Sequence, residues 1–202
     1  MTELFEFDSE AEEDEFSSEF SEQSEKDNTA SNSYKARSEK NMTQNFLQGM
    51  SKILESLISE NKKSEEYERM VKSQKNQIFS SKHIPKVDLL YYLNRIYNYS
   101  NVEKSTLIIS LMFIDKICDN SGVYLTEYNI HRLLFAAILI AIKYNEDSFY
   151  DNKYYSKIAG VQNSELNEME YTFLEMSKCS LFVELDKYDS YMRYLDKYNK
   201  NN

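Results

Sequence analysis

The most apolar stretch of the chain is a run of ten consecutive hydrophobic residues, Leu133 to Ile142. Arg132 directly precedes the run, and Lys143 directly follows it. As a helix the run would be about 15 Å long, half the thickness of a bilayer core, which is too short to span a membrane. A helix that is apolar on every side must instead lie at the centre of a helical domain. The two bracketing charges then need roles of their own.

One-sided apolar segments surround this run in the sequence. Between residues 85 and 182, four further segments carry apolar residues at helical spacing on one face. The pattern predicts an all-α fold, with a single set of five helices over residues 85–182 and a buried central helix. The clearest apolar stripes are Leu89, Leu90, Leu93, Ile96 and Tyr97; Leu107, Leu111, Ile114 and Cys118; and Leu166, Met169, Phe173 and Met176.

The flanks of the five helices have different patterns. Residues 41–60 carry one apolar stripe and are predicted to form an amphipathic helix. Residues 61–84 are polar with few apolar residues, so we interpret them as a linker. Residues 183–202 are predicted to form a C-terminal helical extension.

Local signals predict where three of the helices begin. Pro85 suits the first residue of a helix, because it has no backbone N–H to satisfy. Ser100 and Glu103 have the spacing of a capping box. Thr126 is a candidate cap for the central helix.

The acidity of the chain lies in its first residues. Residues 1–27 contain 12 acidic residues and one lysine, whereas the remainder has a net charge of +1. We expect residues 1–40 to be a disordered acidic tail, because such a composition buries too little apolar surface to offset chain entropy. Ser9 and Ser24 are candidate phosphorylation sites, since each has an acidic residue three positions on. A nearly neutral folded region without a Lys/Arg stripe argues against nucleic-acid binding.

The chain lacks the usual patterns of catalytic and metal sites. Three glycines cannot form a glycine-rich phosphate loop. Neither His83 nor His131 lies near a sequence cluster that would make it a catalytic base or a metal ligand. Cys118 and Cys179 lie in apolar helical patterns, which is typical of reduced core cysteines. We therefore expect no catalytic activity, no metal and no cofactor, and a function carried by a surface that binds a partner.

The cysteine usage and the N-terminus also bear on location. Reduced cysteines favour an intracellular protein. The N-terminus is acidic and lacks the hydrophobic region of a signal peptide. We expect the protein in the nucleus, the cytoplasm or both, without membrane attachment.

Two ordered motifs resemble those of a known family. The central helix ends in A-x-K-Y-x-E, residues 141–146, and a later helix contains L-x-x-x-E, residues 166–170. Together with YLNRIYNYSN, LMFIDK, NIHRLL, FYDNKYYSKIAGV and ELNEMEYTFL, these motifs are similar to those of the P-type (U-type) cyclins. The resemblance extends over roughly residues 42–198 and includes the preceding helix, FLQGMSKILESLISEN. It implies a single five-helix cyclin box.

The resemblance also implies a function and a site. It implies a regulatory subunit that forms a heterodimer with a cyclin-dependent serine/threonine protein kinase and activates it. In the family, the Lys at the end of the third helix and the Glu of the fifth contact the kinase, and these positions correspond to Lys143 and Glu170. Without the resemblance, Lys143 has a plainer interpretation as a favourable charge at a helix C-terminus.

A second set of charges is expected to be structural. Asp115 lies in LMFIDK, where the family has an acidic residue followed by a base. We expect it to form an internal ion pair with Arg132 or with Arg95, and the sequence does not choose between them.

Two other functions stay open at this point. One is a cyclin-fold transcription factor, although that class normally has two boxes and basic helices. The other is a helical scaffold for a non-kinase partner, which nothing in the sequence excludes.

Overall fold

All regular elements in the described part of the chain are α-helices, as the sequence predicts. The computed structural model describes residues 30–74 and 77–200, with side chains from residue 42 to 197 within those ranges. The chain divides into two units, residues 1–42 and 43–202. The helices are α1 (Ala30–Lys62), α2 (Tyr67–Gln74), α3 (Leu89–Ser100), α4 (Lys104–Ser121), α5 (Ile130–Asn145), α6 (Asn152–Ala159), α7 (Asn163–Met176) and α8 (Leu185–Lys200).

Helix α5 forms the centre of the second unit. All ten residues from Leu133 to Ile142 are buried, each at most 4% exposed. Helix α4 packs along α5, and α6 and α7 contact it as well. The apolar run is therefore buried because neighbouring helices cover it on several sides, as its uniform hydrophobicity predicts.

Helix α1 packs through the apolar stripe predicted for residues 41–60. The buried apolar residues on this part of α1 are Phe46, Leu47, Met50, Leu54 and Ile58, whereas Met42 and Leu57 are exposed. The helix is longer than the predicted one, so residues 30–40, which were expected to be disordered, are helical. Their composition explains the difference, since no Pro or Gly interrupts them. The rest of the expected tail, including Ser9 and Ser24, lies outside the described residues.

The segment predicted as a linker is partly helical and packs against the five helices. It contains α2, whose last residue, Gln74, is buried and hydrogen-bonds Asn129 at 3.0 Å. Phe79 is buried with its ring edge-on to Phe173, at a centroid distance of 6.3 Å. Ile84 is exposed, so the buried Phe79 and Gln74 are what hold this segment in place.

Helix α3 begins four residues after the predicted start. Pro85 lies before the helix, and Asp88 is its N-cap. The Asp88 carboxylate accepts hydrogen bonds from the N–H groups of Leu90 and Tyr91, at 2.9 and 3.2 Å. The Asp88 side chain accepts from two amides that have no acceptor within the helix. This stabilises the helix start more than a proline in the first turn would.

The other two predicted caps are wrong in detail. Ser100 ends α3 and donates its hydroxyl to the carbonyl of Ile96 at 2.6 Å, so it forms no capping box with Glu103. Helix α5 has Asn129 as its N-cap, and the backbone carbonyl of Thr126 accepts from the N–H of Asn129 at 3.2 Å. The Asn129 side chain instead accepts from the N–H of Thr126 at 2.8 Å, which closes the turn before the helix.

Candidate partner-binding site

Lys143 and Glu170 form an ion pair at the edge of the helical core. Lys143 is in the last turn of α5, directly after the buried run, and Glu170 follows the buried Met169 on α7. The Lys143 Nζ donates to the Glu170 Oε1 at 2.6 Å. Their side chains are 29% and 18% exposed, so the pair is partly covered yet open to solvent. The two residues that the motifs single out are thus brought together by the packing of α5 against α7.

An amide that the sequence does not point to completes the cluster. Asn152, the first residue of α6, donates to the Glu170 Oε2 at 2.7 Å and to the Asn167 Oδ1 at 2.7 Å. Glu170 therefore has one carboxylate oxygen bonded from α5 and the other from α6. Asn152 lies beside the N-cap Asp151, and asparagine is common at the start of a helix. No local signal in the sequence therefore identifies its contact with Glu170.

The cluster retains hydrogen-bonding capacity toward a partner. An ammonium has three donors, and Lys143 uses one of them on acceptors among the described residues. A carboxylate has about four acceptor positions, of which Glu170 fills two within the described chain. Because both side chains are held by rigid helices and partly desolvated, they can bond backbone groups of a partner more strongly than fully solvated charges would.

Exposed aromatic side chains lie next to the cluster along the chain. Tyr144 follows Lys143 and is exposed, with its ring edge-on to Phe113 at 5.7 Å. Phe149 and Tyr150, in the connection between α5 and α6, are also exposed. Aromatic side chains are enriched where proteins bind one another. The chain therefore presents a charged pair together with apolar surface, as a protein-binding site requires.

Comparison with known proteins identifies the family. The family model described as "Cyclin" matches residues 14–181, most of the chain. The chain belongs to the cyclin family. It is 30% identical over 154 residues to cyclin-U4-1 of Arabidopsis thaliana, which covers 73% of this chain and 76% of the relative.

Further relatives place this cyclin with the P-type and U-type group, as the motifs predict. It is 36% identical over 124 residues to cyclin-U2-2 of Arabidopsis thaliana, covering 61% of this chain and 54% of the relative. It is 33% identical over 116 residues to the PHO85 cyclin-like protein psl1 of Schizosaccharomyces pombe, covering 56% and 48%. The matched region thus spans about half the length of several relatives. The five helices α3–α7 are the cyclin box, and α5 is its central helix.

The glutamate of the cyclin motif A-x-K-Y-x-E contacts a different helix from the one that the lysine contacts. Glu146, the C-cap of α5, accepts hydrogen bonds from the N–H of Glu103 at 3.0 Å and from the Thr106 Oγ1 at 2.5 Å. Glu103 is the N-cap of α4. Glu146 therefore satisfies the backbone N–H of Glu103 at the start of α4 and joins that end of α4 to the end of α5.

The expected ion pair between Asp115 and an arginine is wrong. The Asp115 carboxylate instead accepts from the hydroxyl of Tyr191 on α8. Arg132 lies on α5, where its Nε donates to the carbonyl of Ile78 at 2.8 Å and its guanidinium pairs with Glu165 at 2.5 Å. Local motif spacing could not show this, because the partners of both groups lie on segments distant in sequence.

Arg95 has a structural contact of its own. Its guanidinium donates to the carbonyl of Lys157 at 3.0 Å, near the C-terminal end of α6. A cation at this end of a helix is favourable because the last carbonyls have no intrahelical donor. Arg95 thus joins α3 to α6 within the cyclin box.

The described histidines and cysteines of this cyclin are not grouped with other potential metal ligands. Among residues 30–74 and 77–200, no group of three or more His, Cys, Asp and Glu side chains is placed to hold a metal ion. His131 contacts the carbonyl of Val87 at 2.9 Å through its Nε2, and burial lowers the pKa of its ring. Burial raises the pKa of the Cys118 thiol to about 12, so this thiol is unreactive at neutral pH.

None of the helices within the described ranges combines the length and the hydropathy that a bilayer span requires.

Proposed function

We propose that this cyclin binds a cyclin-dependent serine/threonine protein kinase and stabilises the active conformation of that kinase. The observation that carries the proposal is the Lys143–Glu170 pair, held at 2.6 Å on two rigid helices and left partly exposed. A relative described as PHO85 cyclin-like supports a partner of this kinase class. The complex is a heterodimer of one cyclin and one kinase.

The mechanism needs no chemistry from the cyclin itself. In a protein kinase, a glutamate of the regulatory helix must pair with the lysine that positions ATP. A rigid surface that binds the inward position of this helix better than the outward position shifts the kinase toward its active state. Lys143 and Glu170 supply the fixed charges for that contact, and the exposed Tyr144 beside them supplies apolar surface.

The test is reconstitution with purified components. Each cyclin-dependent kinase encoded in the genome of the source cell is purified and mixed with the cyclin, and phosphorylation of a Ser/Thr peptide library is measured. We expect one or a few kinases to form a 1:1 complex on size-exclusion chromatography and to gain activity at least tenfold. Loss of both effects with Lys143→Ala and Glu170→Ala places the contact at this pair.

A matched control variant is available on the same chain. Lys62 and Glu127 form an ion pair at 2.5 Å on an exposed surface. Replacing these two residues by alanine removes the same charges elsewhere, and binding should persist. The proposal would be overturned if no kinase were bound or activated by the wild-type cyclin.

A further inference from the structure

We infer that Asn152 is a positioning residue of the partner-binding site, an inference that rests on the proposed function. Its amide fixes the carboxylate of Glu170 in the orientation that Lys143 and a kinase both require. The geometry is a chain of three hydrogen bonds: Lys143 to Glu170 at 2.6 Å, Asn152 to Glu170 at 2.7 Å, and Asn152 to Asn167 at 2.7 Å.

The need for such a residue follows from the freedom of a glutamate side chain. Glu170 projects from α7 with three rotatable bonds, and Lys143 alone can hold only one of its oxygens. With the second oxygen bonded to Asn152, the plane of the carboxylate is fixed by groups on two different helices. Binding then loses less side-chain entropy, because the free cyclin already has the bound arrangement.

Asn167 orients Asn152 in turn. Its Oδ1 accepts from the Nδ2 that also bonds Glu170, so the amide points at the carboxylate rather than into solvent. Asn167 and Glu170 are one turn apart on α7. The first residue of α6 is therefore tied to two successive turns of α7, and a shift of α6 would move Glu170.

The decisive substitution is Asn152→Asp, which keeps the size of the side chain and replaces a donor by a charge. A carboxylate at this place lies against the Glu170 carboxylate, and the two groups must repel each other or share a proton. An acidic residue at the start of a helix is favourable, so α6 itself is not weakened. Any lost affinity then reports on Glu170 and not on the helix.

The experiment measures kinase affinity as a function of pH for the full chain. Relative to wild type, we expect Asn152→Asp to weaken binding roughly tenfold or more at pH 8, because a hydrogen bond to a charged group is lost and a repulsion is gained. The deficit should shrink as the pH falls toward 6, since a shared proton restores the hydrogen bond. Asn152→Ala should weaken binding as well, without the pH dependence.

Asn163→Asp is the matched control. Asn163 is exposed and, like Asn152, is the first residue of a helix, so the change adds the same negative charge about two turns from Glu170 without touching the cluster. We expect its affinity to stay close to wild type and to be flat with pH. Equal losses for Asn152→Asp and Asn163→Asp would show a general effect of charge and would overturn the inference.

A second measurement does not depend on any kinase. A crystal structure of the free Asn152→Ala variant shows the Glu170 side chain directly. We expect the Glu170 carboxylate to lose its fixed orientation, and a carboxylate that stays in its wild-type place would overturn the inference. If Lys143→Ala and Glu170→Ala abolish kinase binding while both Asn152 variants bind as wild type, the inference fails and the proposed function stands. Absence of kinase binding by wild type would instead refute the proposed function.

Discussion

The carboxylate of Glu146 accepts a hydrogen bond from the backbone N–H of Glu103 at 3.0 Å, across 43 positions of sequence. The same oxygen accepts from Thr106 at 2.5 Å. The residue that ends α5 is thus the side-chain cap of α4, whose own N-cap residue provides no side-chain hydrogen bond. Within the motif A-x-K-Y-x-E, the lysine therefore pairs with Glu170 on α7, whereas the glutamate bonds the start of α4.

Replacing Glu146 by alanine should lower stability and leave the binding surface intact. The loss of a helix cap costs about 1–2 kcal/mol, which is about 2–8 °C in melting temperature for a domain of this size. Kinase affinity at a temperature well below the melt should change little. The control is Asp147→Ala, an exposed neighbour that should leave the melt unchanged. Equal melting curves for the Glu146 variant and wild type would contradict the capping role.

Replacing Arg132 by methionine should be among the more destabilising single changes on α5. The side chain is 14% exposed, and its removal leaves the carbonyl of Ile78 and the carboxylate of Glu165 without their guanidinium donor. We expect a loss of about 2–4 kcal/mol in the free energy of unfolding, measured by urea denaturation. Lys62→Met removes one partner of an exposed pair with the same 2.5 Å separation and should cost less than about 1 kcal/mol. Similar costs for the two variants would mean that Arg132 is not an internal connection.

The contact between Asp115 and Tyr191 predicts a specific dependence of stability on pH. Desolvation raises the pKa of the Asp115 carboxyl above its ordinary value of 3.8, and Asp119 also raises it, while the Tyr191 hydroxyl and Lys187 lower it in part. Above pH 3.8 the folded chain therefore holds a proton on Asp115 more readily than the unfolded chain does. It follows that the contribution of Asp115 to stability falls as the pH rises through its folded pKa.

Asp115→Asn tests this sign, because asparagine keeps the shape and does not titrate. The variant should gain stability relative to wild type as the pH rises from about 4 toward 7. The measurement is urea denaturation of both proteins across that range, with Asp147→Asn, at a carboxylate that does not contact Tyr191, as the control. A difference that is constant with pH, or that changes in the opposite direction, would show that the pKa of Asp115 is not raised by folding.

The sequence predicted the parts of this fold that depend on composition over many residues. The run Leu133–Ile142 had to be buried whatever its neighbours were, and the one-sided stripes around it had to cover it. Helix starts were less predictable. Asp88 and Asn129 compete with nearby Pro85 and Thr126 as helix-start residues, and residue preferences do not predict Glu103 as an N-cap. A difference of a fraction of a kcal/mol decides between such candidates.

The candidate site was predictable only as far as the family motifs reach. Lys143 and Glu170 came from that resemblance, and their contact required the packing of α5 against α7. Asn152, Glu146 and the partners of Arg132 act through residues far away in the chain, so no local spacing distinguishes them from ordinary surface residues. Asp115 shows the converse error, because opposite charges suggested an ion pair where a tyrosine hydroxyl lies instead.

Deleting residues 1–29 should leave both folding and kinase binding in place. The deletion ends where α1 begins, and the buried stripe of α1 starts later, at Phe46. Extending the deletion to residue 60 should lower the melting temperature strongly, because it removes Leu47, Met50 and Leu54, each at most 1% exposed. Thermal melts and pull-downs with the reconstituted kinase measure both effects. Loss of kinase capture with the shorter deletion would instead assign a docking role to the acidic residues.

Lys143 and Glu170 make the sharpest prediction, because their contact fixes how the two single variants combine. Truncating one partner of a desolvated charge pair at an interface costs about 2–5 kcal/mol, so Lys143→Ala and Glu170→Ala should each weaken kinase binding at least 30-fold. The double variant should cost less than the sum of the two, since the 2.6 Å contact is already broken in each single variant. Both side chains retain some exposure, so the melting temperature of the free cyclin should fall only slightly. Titrations of the wild type and the three variants against the reconstituted kinase, with melts run in parallel, measure all of these quantities.

If the two residues acted only as a local surface pair, stability would fall by less than about 1 kcal/mol and affinity would not change. Additive losses of affinity would mean that each side chain contacts the kinase independently of the other.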